Sequence, residues 1–149
     1  MNPPPPTGDV PPLTVAEQVE RLRSDDEPTR HHAVTGLREL CLPKNAHCVE
    51  NRQAVGDHGG IQLMVAMLES PNGDVQRSTC LALNETCLKN PVNSRTFQSC
   101  GAIPLVMRVL ESGNPDLQTQ ALAVLGTSAV NAVEVRRGLK DAGAVPLLV

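Results

Sequence analysis

The chain has 149 residues and a formal net charge of −3 at pH 7, from 13 Lys and Arg against 16 Asp and Glu. This balance, together with the absence of any Lys/Arg run, argues against nucleic-acid binding. Phe97 is the only aromatic residue, so a surface that stacks bases is not expected either.

The cysteines and the apolar segments predict a reducing compartment and no membrane span. The five cysteines are an odd number without a paired CxxC spacing, and residues 1–6 lack the charged and apolar regions of a secretory signal. No stretch approaches the roughly 18 apolar residues that cross a bilayer. We therefore expect the protein in the cytoplasm, with the nucleus as a second compartment.

The N-terminal segment, residues 1–13, is rich in proline. This composition predicts an extended, disordered tail. Pro3 to Pro6 and Pro11-Pro12 would also fit a proline-reading groove, but no specificity residues flank them. A flexible tail is the simpler interpretation.

Residues 14–58 contain the first helical pattern, which we interpret as a degenerate N-terminal cap. Thr14 and Glu17 have the spacing of a capping box, and this predicts a helix through about Arg23. The charged residues of that helix suit the end of an array, where one side faces solvent.

A repeat of 42 residues dominates the rest of the sequence. Gly-Gly-Ile, Gly-Ala-Ile and Gly-Ala-Val begin at positions 59, 101 and 143, so both spacings are 42. The register predicts repeats at 59–100 and 101–142 and the start of another at 143–149. Further identities in the same register are Leu68/Leu110, Glu69/Glu111, Ser70/Ser112, Asn72/Asn114, Asp74/Asp116, Gln76/Gln118, Leu83/Leu125 and Arg95/Arg137.

The N-terminal cap at residues 14–58 keeps the same repeat register except for an insertion. Leu22 aligns with Leu68 at an offset of 46, whereas Asn51 aligns with Asn93 at an offset of 42. Four extra residues therefore fall in the loop-like stretch near 43–48.

Each repeat contains residues that predict the starts and ends of three helices. In the unit that starts at 101, residues 103–110 form an apolar helical stripe, and a polar turn follows. Asn114 can then cap a long helix with Pro115 at its first position. That helix is apolar on most sides, which indicates burial between neighbouring units. A short third helix is predicted at about 134–141.

These residues resemble the armadillo repeat family. Residues 100–106 and 142–148 match its run of a small residue, Gly-Ala-Ile/Val-Pro and two aliphatic residues, and residues 58–64 are a looser copy. HEAT arrays lack this run. The resemblance implies an all-α fold, a right-handed α-α superhelix of three-helix repeats, with residues 14–149 as its repeat domain. It also implies a protein that binds other proteins.

Residues 143–149 open a further unit and stop within its second helix. Because a solenoid needs a polar terminal cap, we expect that the natural protein continues or that this chain is a truncated product.

Residues with chemical potential are few. Cys41, His47 and Cys48 are the densest metal-like group, but a zinc site needs four ligands. Cys80 and Cys87, like Cys41, fit small core positions better. No nucleophile motif or phosphate loop is present, and an N-glycosylation pattern at 84–86 lies within a predicted helix. We expect no enzyme activity, cofactor, metal or small-molecule substrate.

The resemblance implies a binding groove lined by the long helices. Importin-α-like members carry Trp and, four residues on, Asn along this groove. The Trp positions fall at Thr35, Leu81 and Ala123. The Asn positions fall at Glu39, Glu85 and Thr127. Neither ladder is present, so recognition of nuclear-localisation signals in that manner is not expected. The candidate groove residues are Thr35, Glu39, Ser78, Leu81, Glu85, Gln120, Ala123 and Thr127.

Two interpretations of the acidic groove positions stay open. Glu39 and Glu85 are either solvated helix residues or a site that attracts a basic partner segment in a salt-sensitive way.

The predicted function is a non-catalytic adaptor that binds an extended or helical protein segment. Two alternatives are the recognition arm of a larger ubiquitin-ligase or kinase-type enzyme and a structural protein of cilia or the cytoskeleton. No residue favours either alternative.

Overall fold

The computed structural model describes residues 13–131 and 133–143, and every regular element within them is a helix. The predicted tail falls outside this part except for Leu13, and of the predicted start of a further repeat only Gly143 lies inside it. The elements in chain order are α1 Val15–Arg21, α2 Glu27–Cys41, α3 Cys48–Asp57, α4 Gly60–Met67, α5 Gly73–Cys87, α6 Pro91–Ser99, α7 Ala102–Leu110, α8 Pro115–Asn131 and α9 Val133–Asp141.

The first helix begins with the predicted capping box. The backbone N–H of Thr14 donates to Glu17 Oε2 over 2.7 Å, and the backbone N–H of Glu17 donates to Thr14 Oγ1 over 3.2 Å. The capping box is therefore confirmed, although the helix ends at Arg21, two residues earlier than expected.

The long helices α2, α5 and α8 each begin with a side chain that caps the helix N-terminus. A side-chain oxygen of Asn114 accepts from the N–H groups of Asp116 and Leu117, at 3.1 and 3.2 Å, as the sequence predicts. Asn72 caps α5 in the same way, and Asp26 caps α2. These caps satisfy N–H groups that a helix start leaves without partners.

Glycine in the left-handed region separates the helices at the repeat motif. Gly59 has φ 78° and Gly101 has φ 83°, a conformation in which a side chain would be strained. This requirement explains why Gly recurs at these two positions.

The helices form layers in which α5 packs between α2 and α8. The shorter helices α1, α4 and α7 each pack on the long helix that follows, while α6 contacts α3 and α9. The buried core lies between these layers. Leu37, Leu83 and Leu125 are fully buried at equivalent positions of the three long helices.

Cys41, Cys80 and Cys87 are buried in this core, as predicted. Burial raises the pKa of each of these thiols from 9.0 to about 12, because a thiolate is poorly solvated there. None of the five cysteines forms a disulfide.

The connection between the long helix and the next helix differs between units. Residues 42–47 join α2 to α3, whereas residues 88–90 join α5 to α6. The longer loop lies where the sequence alignment places four extra residues.

Candidate functional site

The candidate groove residues lie on the three long helices. Thr35 and Glu39 on α2 are exposed. The candidates on α5 and α8 are partly exposed, and they are Ser78, Leu81, Glu85, Gln120, Ala123 and Thr127. We call the surface formed by these eight residues the long-helix face.

Polar bonds join the long helices along this face. His31 Nε2 lies 2.8 Å from Ser78 Oγ, between α2 and α5. One unit later, the hydroxyl of Thr127 donates to Asn84 Oδ1, between α5 and α8. The partners are 47 and 43 residues apart, which is one more than the offsets of 46 and 42. Each bond therefore joins a residue on one long helix to a residue on the next long helix. The second residue lies one position after the repeat equivalent of the first.

His31 and Asn84 were not among the sequence candidates. The sequence signal for each of these two residues is that its partner lies one repeat length plus one residue away. That signal is interpretable only when the helices are known to lie side by side.

Glu85 has a cation of its own chain beside it. Its Oε2 lies 3.9 Å from a terminal guanidinium nitrogen of Arg52 on α3. The Arg52 side chain is 5% exposed and that of Glu85 is 16% exposed. Because both charges are largely removed from water, their interaction is screened less than that of a surface pair. A basic partner segment would have to share Glu85 with Arg52.

Glu39 also has a cation of its own chain nearby. Lys44 Nζ lies 3.5 Å from Glu39 Oε2, with side-chain exposures of 74% and 52%. An exposed pair of this kind contributes little free energy, so Lys44 can be displaced easily.

The C-terminal ends of the long helices are held by side chains from the following helix. Arg52 donates from Nε and a terminal nitrogen to the carbonyl oxygen of Cys41, over 3.1 and 2.9 Å. The residues that lie 42 and 84 positions after Arg52 make the equivalent contact. Ser94 donates to the Cys87 carbonyl over 3.4 Å, and Arg136 donates to the Ala129 carbonyl over 2.7 Å.

The residue before Arg52 and the residue before Ser94 also donate to a carbonyl near the end of the preceding long helix. Asn51 Nδ2 donates to the Leu40 carbonyl over 2.7 Å, and Asn93 Nδ2 donates to the Thr86 carbonyl over 2.9 Å. The alignment of Asn51 with Asn93 thus reflects a shared structural role. These contacts satisfy last-turn carbonyls and fix the ends of the helices that form the face.

Other kinds of site have little support in the described part of the chain. No three His, Cys, Asp or Glu side chains there converge as a metal site would require. None of the described helices combines the length and hydrophobicity needed to cross a membrane.

The sequence matches a known family model over part of its length. Residues 48–87 match the armadillo/β-catenin-like repeat. This stretch runs from the start of α3 to the end of α5. It shares α4 and α5 with the repeat 59–100 but begins one helix earlier and ends before α6, as a periodic array allows. No curated protein matches the sequence.

Solved structures share the fold over 89% of this chain. An engineered protein has a TM-score of 0.79 at 23% identity, with 52% of its own chain covered. A designed armadillo repeat protein in complex with the peptide (KR)4 has a TM-score of 0.76 at 18% identity, with 54% covered. Computationally designed armadillo repeat proteins for modular peptide recognition have a TM-score of 0.75 at 20% identity, with 54% covered. The chain thus spans about half the length of these structures.

The fold defined by these helices is an all-α superhelical repeat. The 42-residue register, the family match and the structural neighbours agree on its type. The chain has an armadillo-type repeat fold.

Proposed function

We propose that this protein is a non-catalytic scaffold whose long-helix face binds a segment of a partner protein. The observation that carries the proposal is the continuity of this face over α2, α5 and α8, which pack side by side. Its side chains are partly or fully exposed on all three helices.

The spacing of the helices suits an extended segment. Packed helix axes are about 8–10 Å apart, and an extended chain advances about 3.3 Å per residue. Each long helix would therefore meet about three residues of the segment. A designed neighbour with the same fold is in complex with the peptide (KR)4, which supports a peptide-sized ligand for such a surface.

The charge of the partner segment does not follow from the acidic positions alone. Glu39 and Glu85 each lie within 4 Å of a cation of this chain, so the face offers no unopposed carboxylate at either position. We therefore propose a protein segment as the partner without requiring that it be basic.

A binding selection with matched variants tests this function. The full chain would be used to select 12-residue peptides from a random display library, and affinities would be measured by fluorescence polarisation. We expect Ala123→Arg on α8 to reduce the affinity at least tenfold, because a large side chain would block the long-helix face. Ala66→Arg on α4 is the control, since Ala66 is exposed and is not one of the residues of that face. Equal losses in the two variants, or no selected peptide, would contradict the proposal.

We also propose that the protein acts in the cytoplasm. The support is that its five cysteines include three buried thiols and no disulfide. Labelling of the natural protein in fixed cells, with a secreted marker as the comparison, would test the compartment.

A further inference from the structure

A surface cleft lies between the C-terminal ends of α5 and α8, next to the long-helix face. Its volume is about 430 Å³, and it is lined by Leu88, Lys89, Gly126, Thr127 and Val130. Three of these five residues are apolar, and Val130 is 79% exposed. Because Thr127 also belongs to the long-helix face, a segment bound to that face lies beside the cleft. We call this feature the α5–α8 cleft.

Gly126 lies in the interior of α8 without a packing reason among the described residues. A Cβ at Gly126 would meet nothing within 4 Å. The other glycines inside helices are closely packed, since a Cβ at Gly36, Gly56 or Gly138 would lie 2.3, 2.1 or 2.9 Å from a neighbouring side chain. Glycine is less stable than alanine in a helix interior. Packing therefore explains the other three glycines but not Gly126.

Lys89 is also a residue that the local structure does not favour. Among the described residues other than glycine, only Lys89 has a positive φ, of 53°. Glycine adopts this left-handed conformation at little cost, whereas the Cβ of a lysine disfavours it. Residues of this kind concentrate at binding sites, where function opposes stability. Gly126 and Lys89 line the same cleft, so the two exceptions coincide.

The charges of the described residues at the cleft favour an anion. Lys89 is exposed and forms no salt bridge with a described side chain. Arg136 on α9 donates to the carbonyl oxygen of Ala129 over 2.7 Å, which places a second cation at the end of α8. Glu85, one turn before Lys89 on α5, already has Arg52 beside it. A carboxylate near Lys89 would therefore complement the local charge.

We propose that the α5–α8 cleft binds a large apolar side chain of the partner segment, and that an acidic residue two positions away pairs with Lys89. This inference rests on the proposed function and adds the chemistry of the partner. Because Gly126 has no Cβ, the apolar side chain can contact the backbone of α8, with Leu88 and Val130 on either side.

The geometry of an extended segment suits this arrangement. Residues two positions apart point to the same side and are about 6.6 Å apart, so an apolar anchor and an acidic residue can face the cleft together. The long-helix face extends from the cleft to α2, and the segment therefore continues past Lys89. An Asp or Glu side chain, and not a chain terminus, supplies the carboxylate.

The test of the apolar contact uses variants that fill the cleft. The 12-residue peptides selected on the full chain would be measured by fluorescence polarisation against wild type and Gly126→Leu. We expect Gly126→Leu to bind at least tenfold more weakly and yet unfold at a higher temperature, because leucine occupies the cleft and favours a helix. Gly126→Ala should lose less affinity. Gly73→Ala, at an exposed glycine whose Cβ would meet nothing within 4 Å, is the control and should bind normally.

The test of the ion pair is a double-mutant cycle between the peptide and Lys89. Replacing the acidic residue of the peptide by its amide should weaken binding to wild type about threefold and binding to Lys89→Asn hardly at all. Asparagine tolerates the left-handed conformation, so Lys89→Asn removes the charge without adding backbone strain. Lys140→Gln, at an exposed lysine outside the cleft, should keep the threefold difference.

Failure of this inference is distinguishable from failure of the proposed function. No selected peptide, or peptides that bind Ala123→Arg as well as wild type, would remove both. Peptides that are weakened by Ala123→Arg but bind Gly126→Leu as well as wild type would remove only the cleft. Selected peptides rich in Lys and Arg, or an equal effect of the amide replacement in wild type and Lys89→Asn, would overturn the pairing with Lys89.

Discussion

Arg52 and Cys41 are joined by two hydrogen bonds, from the guanidinium group on α3 to the carbonyl oxygen at the end of α2. The same guanidinium lies 3.9 Å from Glu85 on α5. One buried side chain thus links the ends of two long helices through the helix between them.

Replacing Arg52 should destabilise the fold strongly. Arg52→Met leaves the Cys41 carbonyl without these donors and Glu85 without its nearby cation, and breaking a buried pair costs about 3–5 kcal/mol. We expect a loss of unfolding free energy of this order in urea denaturation. Arg95→Met on α6, where Arg95 is exposed, is the control and should change it by less than about 0.5 kcal/mol. Similar values for the two variants would contradict the clamp role of Arg52.

Two glycine substitutions within helices should have opposite effects. A Cβ at Gly56 in α3 would lie 2.1 Å from Asn93 Oδ1, whereas a Cβ at Gly126 in α8 would meet nothing within 4 Å. Gly56→Ala must displace an amide that donates to the Arg52 and Thr86 carbonyls, so we expect a loss of about 2 kcal/mol or more.

Gly126→Ala should instead stabilise the protein by about 0.5–1 kcal/mol, because Ala loses less backbone entropy in a helix. The same urea titration measures both variants. Stabilisation by Gly56→Ala would show that Asn93 does not pack against α3 as described.

Stability should fall at alkaline pH because of the buried thiols. The pKa of Cys41, Cys80 and Cys87 is about 12 in the folded protein, and that of an ordinary thiol in the unfolded chain is 9.0. Above pH 9 the unfolded chain loses these protons first, so each thiol's contribution to stability is full below pH 9 and is lost as pH rises from 9 toward 12.

Urea midpoints measured between pH 7 and 10.5 would show this decline. Cys80→Ala should flatten the slope by up to about 1.4 kcal/mol per pH unit. Cys100→Ala should change it less, because Cys100 is only half-buried. A slope that does not depend on either thiol would contradict the assignment.

The cap of the last long helix should have a measurable but modest effect. Asn114→Ala removes the oxygen that accepts from two N–H groups at the start of α8, and such losses cost about 1 kcal/mol. Asn114→Asp keeps an acceptor and should retain most of the stability. Thermal unfolding of both variants tests the cap. Equal losses of stability in the two variants would contradict it.

Local features of the fold were predictable from the sequence. The capping box at Thr14 and the cap at Asn114 depend on residues three or fewer positions apart, and the core cysteines depend on helical periodicity. The 42-residue register places the candidate groove residues on three adjacent helices.

Contacts across the packed helices were not predictable in the same way. That Glu85 lies beside Arg52 depends on how α3 packs against α5, and no local pattern specifies that geometry. That Arg38 Nε and Glu85 Oε2 are buried without a hydrogen bond depends on side-chain rotamers between helices. The repeat register therefore predicts which helices carry the candidate residues but not the polar contacts around them.

The amide of Asn93 has a mechanical consequence. Its Nδ2 donates to the Arg52 carbonyl on α3 and to the Thr86 carbonyl on α5, so a single side chain on α6 holds two other helices. Bending between the first two units would break one of these buried bonds. The relative position of α3 and α5 is therefore fixed by this amide. A segment that binds the long-helix face would meet an α5 whose position is set before binding.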